Sequence, residues 1–332
     1  MTTASTTDIG TALSDFQERL RPFDLADDVA LTTVNDEGPS PVPIRGTPDL
    51  GEVLEADLLI NFFYLAPANF VKRFRRSVLV DLDPGLLQIW ISRGEINVAP
   101  HDLYFTIGET IGTRSARFPD CGLAWRYIAP PVFLPAWPVV RVDSPAPYTT
   151  VTGWWDQWME LDGEMFSNEK RSVFLKYLQL ARQIPQEIEL CIILDEFTRS
   201  TDRLILEEHG WKVRDARDIC ATPERFRDYI QTSSGEFTCA RPSCGRLSTT
   251  WVSDRTLCYL ASGKPAIVED PAPSRYAAEG GLLRFKTLEQ AIASFDVVKS
   301  DYERHCRLAR EIAEDYFDAE KVARHLLERA LS

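Results

Sequence analysis

Short runs of consecutive apolar residues punctuate the second half of the chain, and stretches with helical spacing separate them. Runs at 148–153, 188–194, 211–214, 237–240, 266–268 and 282–285 read as strands. Helical patterns at 168–183, 202–209, 226–231 and 288–298 fall between them, and 301–331 forms a last helix or pair of helices. Runs that are apolar throughout, rather than alternating, predict parallel strands covered on both faces. Strict alternation of strand and helix predicts a doubly wound sheet. The first half carries strand candidates at 29–34, 57–61, 77–83 and 103–108, with a basic helical stretch through 70–76. Ligands of such sheets bind beyond the carboxyl ends of the strands, and Asn61, Asp83 and Glu109 fall at or just past such ends. Residues 1–28 are polar and helical, with Gly10 as their only glycine.

The pattern breaks between 127 and 148. Pro130, Pro131, Pro135, Pro138, Pro145 and Pro147 impose a stiff, extended crossing there. This places a domain boundary near residue 145. The expected organisation is a shortened N-terminal Rossmann-like domain over 1–145 and a second Rossmann-like domain over 146–300. Helices over 301–332 would pack back across both.

A chain of 332 residues supports two cores. Its net charge of −13 argues against a nucleic-acid backbone or an anionic membrane as partner. No apolar run is long enough to span a bilayer. The opening Met-Thr-Thr-Ala-Ser-Thr-Thr lacks the basic-then-apolar order of a signal peptide, so a cytoplasmic location is expected. Seven scattered cysteines without a Cys-x-x-Cys point to small core residues, not to a zinc site or a disulfide scaffold.

The most distinctive stretch is 251–270, Trp-Val-Ser-Asp-Arg-Thr-Leu-Cys-Tyr-Leu-Ala-Ser-Gly-Lys-Pro-Ala-Ile-Val-Glu-Asp. Ser253 suits an N-cap, Asp254 a first helical turn, Gly263 a C-terminal cap, and Pro265 forbids continuation. A short apolar strand follows. The segment Trp251, Ser253, Asp254, Arg255, Tyr259 to Pro265 and Ile267 resembles the nucleotide-sugar-binding half of bacterial GT-B glycosyltransferases. The likeness runs from about 148 to the C-terminus. It implies an α/β fold of two Rossmann-like domains. It also implies a metal-independent transfer of a sugar from a nucleotide-diphospho-sugar, a co-substrate in place of any cofactor, to an acceptor that the sequence does not name.

Such a reaction must stabilise a departing diphosphate. The resemblance places the donor diphosphate at the helix that opens at Ser253, with backbone N–H groups there and a clamp from Arg255. Its alternative is a surface pair of Arg255 with Asp254 or Glu269. Asp254 either caps the helix or holds a ribose or sugar hydroxyl. Many family members keep a glutamate at the position of Cys258, so this chain departs from the pattern there. Further donor-side candidates are Thr152 and Gly153 at a strand end, Lys170 at a helix start, Arg241, Ser248 and Thr249 in a loop, and Asp270 after a strand. Lys170 and Arg171 reach phosphates or solvent. The Trp154–Trp155 pair suits an apolar acceptor or the core.

An inverting enzyme needs a base for the acceptor hydroxyl. Asp83 and Glu109 are the candidates at strand ends, with Asp81 behind them and His101 read as a surface histidine. A retaining course needs no such base. Asp81-Leu-Asp83 also fits a metal-binding Asp-x-Asp or a phosphatase nucleophile strand, although Pro84-Gly85 replaces the usual continuation. A structural use, binding backbone N–H groups, is equally open. Because family members open with a strand and a glycine-rich loop, the chain either lacks part of an acceptor site, completes it with a second copy or partner subunit, or has lost catalysis. The rival to an enzyme is therefore a GT-B-like sugar-nucleotide-binding or partner protein.

Overall fold

A computed structural model describes residues 6–35, 38–42, 48–142, 146–161, 163–250, 252–276 and 280–332. Trp251 and the expected boundary at 143–145 lie outside the described residues. The chain forms two compact units. One comprises Met1–Val80, Arg93–Tyr104 and Leu331; the other comprises Asp81–Ser92, Phe105–Ala330 and Ser332. Residues Phe105–Ala330 fall together in the second unit.

The first unit contains α1 (Thr6–Leu20), the antiparallel hairpin β1 (Leu31–Asn35) and β2 (Gly38–Val42), and α2 (Leu50–Leu54). The polar, helical start read from the sequence is α1. Asp49 and Glu52 form a reciprocal capping box that starts α2. β3 (Leu59–Asn61) follows, then α3 (Ala68–Val71) and β4 (Ser77–Asp81), and β3 pairs in parallel with β4. Val78, Leu79 and Val80 are fully buried, as a run without polar alternation requires. His101 is half-buried, not a surface group: one ring nitrogen lies 3.1 Å from Asn61 and the other 2.7 Å from the Ala99 carbonyl.

The second unit holds α4 (Leu86–Ser92), the end of β5 (Leu103–Thr106) and β6 (Trp125–Tyr127). Asp81 is fully buried and accepts hydrogen bonds from the Asp83 N–H, Gln88 Nε2 and Thr106 Oγ1, each at 2.9 Å. Burial pushes its carboxyl up to about 6 against those three bonds. Of the readings open for Asp81-Leu-Asp83, the geometry matches the structural one, in which Asp81 binds a backbone N–H.

The remaining elements are β7 (Tyr148–Val151), the hairpin β8 (Trp158–Leu161) and β9 (Glu164–Ser167), α5 (Lys170–Phe174), α6 (Leu180–Gln183), β10 (Ile188–Ile192), α7 (Arg203–Glu208), β11 (Lys212–Asp215) and α8 (Ala216–Ile219). Then come α9 (Pro223–Gln231), β12 (Gly235–Thr238), α10 (Pro242–Leu247), α11 (Asp254–Ala261), β13 (Ala266–Glu269), β14 (Leu282–Phe285), α12 (Leu288–Ser300), α13 (Tyr302–Ile312) and α14 (Ala319–Leu331). Six strands form one parallel sheet in the order β11-β10-β7-β12-β13-β14. This is the dinucleotide-fold order, in which the strand sequence reverses between the first and fourth strands. Here the reversal lies between β7 and β12, registered by Tyr148 opposite Gly235.

One face of the sheet is covered by an aromatic core. Phe237 stacks on Phe285 with centroids 5.1 Å apart, and Phe174, Tyr177, Trp211 and Phe295 close around them. The single helix expected over 168–183 is broken: it tightens at Leu175–Tyr177, where Tyr177 is buried with its hydroxyl donating to Glu269. The Gly- and Trp-rich turn after β7 contains the hairpin β8–β9, which the apolar pattern did not show. Trp154 belongs to the core, and its indole N–H donates to Asp202 at 2.8 Å.

The other face carries α11 and the C-terminal helices. Arg310 Nη1 donates to the carbonyls of Trp137 and Ala261, tying the Pro-rich segment to the end of α11. Val132 N–H donates to the Phe317 carbonyl at 2.7 Å, and Ala319 N–H returns to the Val132 carbonyl at 3.0 Å. Gly281 lies against the Ala309 backbone with φ of +74°, so a side chain there would meet α13. Among the described residues no helix is long and apolar enough to cross a membrane.

Candidate functional site

A cleft of about 550 Å³ opens over the carboxyl ends of β7, β12 and β13. It therefore sits at the point where the strand order reverses, the place such sheets use for ligands. Thr152, Gly153, Lys170, Arg241, Thr249, Ser253, Asp254 and Arg255 all line it, as does Asp83. Residues separated by up to 172 positions in the chain thus meet in one cavity.

Arg255 lines the cleft but is held from behind. Its Nε donates to Glu236 at 2.6 Å, Nη1 to the Val151 carbonyl at 2.7 Å and Nη2 to Thr238 Oγ1 at 2.9 Å. Glu236 is fully buried in the central strand β12. The guanidinium thus ties β7 to β12, and its partner is neither Asp254 nor Glu269. A carboxylate in a central strand needs a buried cation, and Glu236, directly before the apolar run at 237–240, was the overlooked signal.

Lys170 is in the opposite condition. Lys170 lines the cleft, and its amine has neither an ion pair nor a hydrogen bond among the described residues. Burial, reinforced by the Arg255 charge, lowers it to about 8. Arg171, next in the chain, makes a two-pronged pair with Asp202 at 2.7 and 2.8 Å and lies over the Trp155 ring. Lys170 therefore faces the cleft while Arg171 fastens α5.

The start of α11 forms another wall. Ser253 occupies the N-cap position, but its hydroxyl donates to Asp254 and does not cap. Asp254 Oδ1 accepts from the Arg255 N–H at 2.8 Å. This bond to the adjacent residue is not an N-cap bond, and Asp254 itself lines the cleft. Gly153 is exposed in the cleft, and a methyl group added there meets nothing within 4 Å. The chain itself does not require glycine at that point. Gly153→Ala is accordingly expected to leave thermal stability within about 0.5 kcal/mol of wild type yet weaken ligand binding severalfold. Parallel thermal melts and titrations would check this.

The lining also includes Glu269 and Arg284, which the sequence did not offer as site residues. Glu269 accepts from the Ala240 N–H and the Tyr177 hydroxyl, and burial raises its carboxyl. Arg284 projects from β14. Thr249 Oγ1 is buried without a hydrogen-bond partner among the described residues. Arg241 pairs loosely with Asp156 at 3.4 Å.

Three expected site residues do not line the cleft. Ser248 adopts a left-handed conformation and gives its carbonyl to Thr110. Asp270 lies beside Arg284 and Lys286, 3.5 Å from each. Glu109 accepts from Ser274 Oγ and the Arg275 N–H, both at 2.6 Å, so its carboxylate fixes a turn. Asp83 alone of the two base candidates borders the cavity.

No family model matches the chain, and no curated protein matches it. Among solved structures it is similar to sucrose-phosphate synthase from Thermosynechococcus elongatus, with 11% identity, 99% of this chain and 80% of that one covered, and a TM-score of 0.56. An alpha-glucosyltransferase in complex with UDP and a 13-mer DNA containing a HMU base gives 10% identity, coverage of 85% and 83%, and a TM-score of 0.55. The fold is that of the GT-B glycosyltransferases. Anabaena HepE in complex with UDP-glucose has the same GT-B likeness, with 11% identity, 84% and 79% covered, and a TM-score of 0.51. At these identities the GT-B likeness fixes the architecture and leaves the chemistry to the cleft.

Proposed function

We propose that the cleft binds a nucleotide-diphospho-sugar and that the protein transfers its sugar to an acceptor hydroxyl. The observation that carries this reading is Lys170, which lines the cleft with the start of α11 and whose amine has no ion pair among the described residues. A diphosphate between Gly153 and α11 would meet that amine, the helix N-terminus and a backbone approach left open by glycine. As the sugar departs, charge grows on the diphosphate, and both features stabilise it without requiring a metal. Under an inverting course Asp83 is the group assigned to the acceptor proton. The neighbours solved with UDP or UDP-glucose support a nucleotide donor.

The test is a calorimetric screen against UDP, GDP, dTDP and ADP, followed by turnover with the matching sugar nucleotide. One nucleotide binding at micromolar strength, about 8 kcal/mol, supports the reading; none binding within the millimolar range rejects it. A second reading, a GT-B-like protein that binds without transferring, draws on Asp254 at the α11 start and on Glu109 being committed to a turn. It predicts binding with neither transfer nor hydrolysis.

A further inference from the structure

Arg284 is an anomaly in the cleft wall. Its side chain is 16% exposed, and Nε and Nη2 are buried with no hydrogen-bond partner among the described residues. Nη1 lies 3.5 Å from Asp270 Oδ1, an oxygen that itself has no hydrogen bond among the described residues. Asp270 Oδ2 is shared with Lys286, also at 3.5 Å, so one carboxylate stands between two cations. The other acids close to Arg284 or in its part of the wall are committed: Glu269 to Ala240 and Tyr177, Glu109 to Ser274 and Arg275. A guanidinium carries five N–H donors, and leaving them unmade in a buried setting is costly.

We propose that Arg284 is a receptor for a carboxylate on the substrate. This rests on the donor-cleft reading and narrows its substrate class to one that includes an acidic sugar. The Nε–Nη2 edge is the planar fork that matches a carboxylate with two parallel hydrogen bonds. A turn of the guanidinium away from Asp270 would present that edge to the cavity. The sheet order puts β14 three strands from β7. At about 4.8 Å per strand, Arg284 lies on the order of 14 Å across the sheet from β7, the strand that leads to Gly153. A diphosphate at Gly153 and Lys170 would leave Arg284 for the far end of the ligand. That end is either the transferred sugar, as a uronic acid, or an acidic acceptor. A neutral hydroxyl there would leave the cation with only the carboxylate it shares with Lys286.

The test compares UDP-glucuronate with UDP-glucose by calorimetry, and methyl glucuronide with methyl glucoside on UDP-saturated protein. Wild type, Arg284→Gln and Arg284→Lys are measured, with melting temperatures as the folding control. The expected result is a preference of about 10- to 100-fold for one carboxylated ligand. That preference is lost in Arg284→Gln and partly kept in Arg284→Lys, which also serves if the glutamine variant fails to fold. A preference in the first pair places the carboxylate on the donor; one in the second pair places it on the acceptor. Equal binding of acidic and neutral ligands overturns the proposal while UDP binding leaves the donor cleft standing. If UDP does not bind, free glucuronate is compared with glucose. Arg284-dependent binding then keeps the carboxylate site and removes the nucleotide, and no binding removes both.

Discussion

Lys170→Met is expected to weaken nucleoside-diphosphate binding by about 10- to 100-fold, the worth of a hydrogen bond to a charged group, while raising the melting temperature. The two effects have one cause. The amine is held in a partly desolvated cleft beside the Arg255 charge, which disfavours its ammonium form. Methionine removes that cost and also removes the cation. The pH dependence has a definite sign. Only the protonated amine attracts an anion, so affinity is greatest below about 8 and falls as pH rises through that value. Stability runs the other way. The amine is lowered from 10.5 to about 8 in the folded chain, so the unfolded chain binds more protons across that window. Stability from this group is therefore gained as pH rises from 8 towards 10.5. Urea titrations at several pH values should show this rise in wild type and not in Lys170→Met. A variant that binds nucleotides as wild type does would remove Lys170 from the site.

Arg255→Ala should unfold the protein far more readily, by about 3–5 kcal/mol, because it strands the Glu236 carboxylate in the middle of a sheet. The loss combines the 2.6 Å ion pair with the bonds to Val151 and Thr238 that tie β7 to β12. Replacing both members, as Arg255→Met with Glu236→Leu, should recover most of the stability, since no charge is then left alone. Denaturant midpoints of the two singles and the double variant measure this directly. A milder cost than about 1 kcal/mol for Arg255→Ala would mean that the pair is not what holds the strands. The result also bears on function. Weak ligand binding in an Arg255→Ala protein would report a loosened sheet, so the phosphate role has to be tested at Lys170.

The second half of the fold was legible because parallel strands buried on both faces spell themselves out as apolar runs, and all six of its sheet strands fall within two residues of those runs. The hairpin β8–β9 was not, since Trp158 and Met165 put large apolar groups on its exposed surface and blur the alternation. The stretch from Ser253 to Pro265 marked a helix start, and α11 opens at the cleft. What the sequence could not say is which of two neighbouring cations faces that cleft. Lys170 and Arg171 differ by one position, and the choice is made by Asp202, 31 residues further on. The partners of Arg255 and Asp270 were hidden for the same reason. These partners, Glu236 and Arg284, sit on strands whose adjacency only the sheet order creates.

The Val132 seat has a consequence for how such chains drift. Its two bonds, from Val132 to Phe317 and from Ala319 back to Val132, join main-chain atoms only. Amides are the same whatever side chains they carry, apart from proline's missing N–H. The attachment of the tail to the middle of the chain can thus survive wholesale replacement of the residues around it. Architecture anchored in this way can outlast the resemblance of one sequence to another.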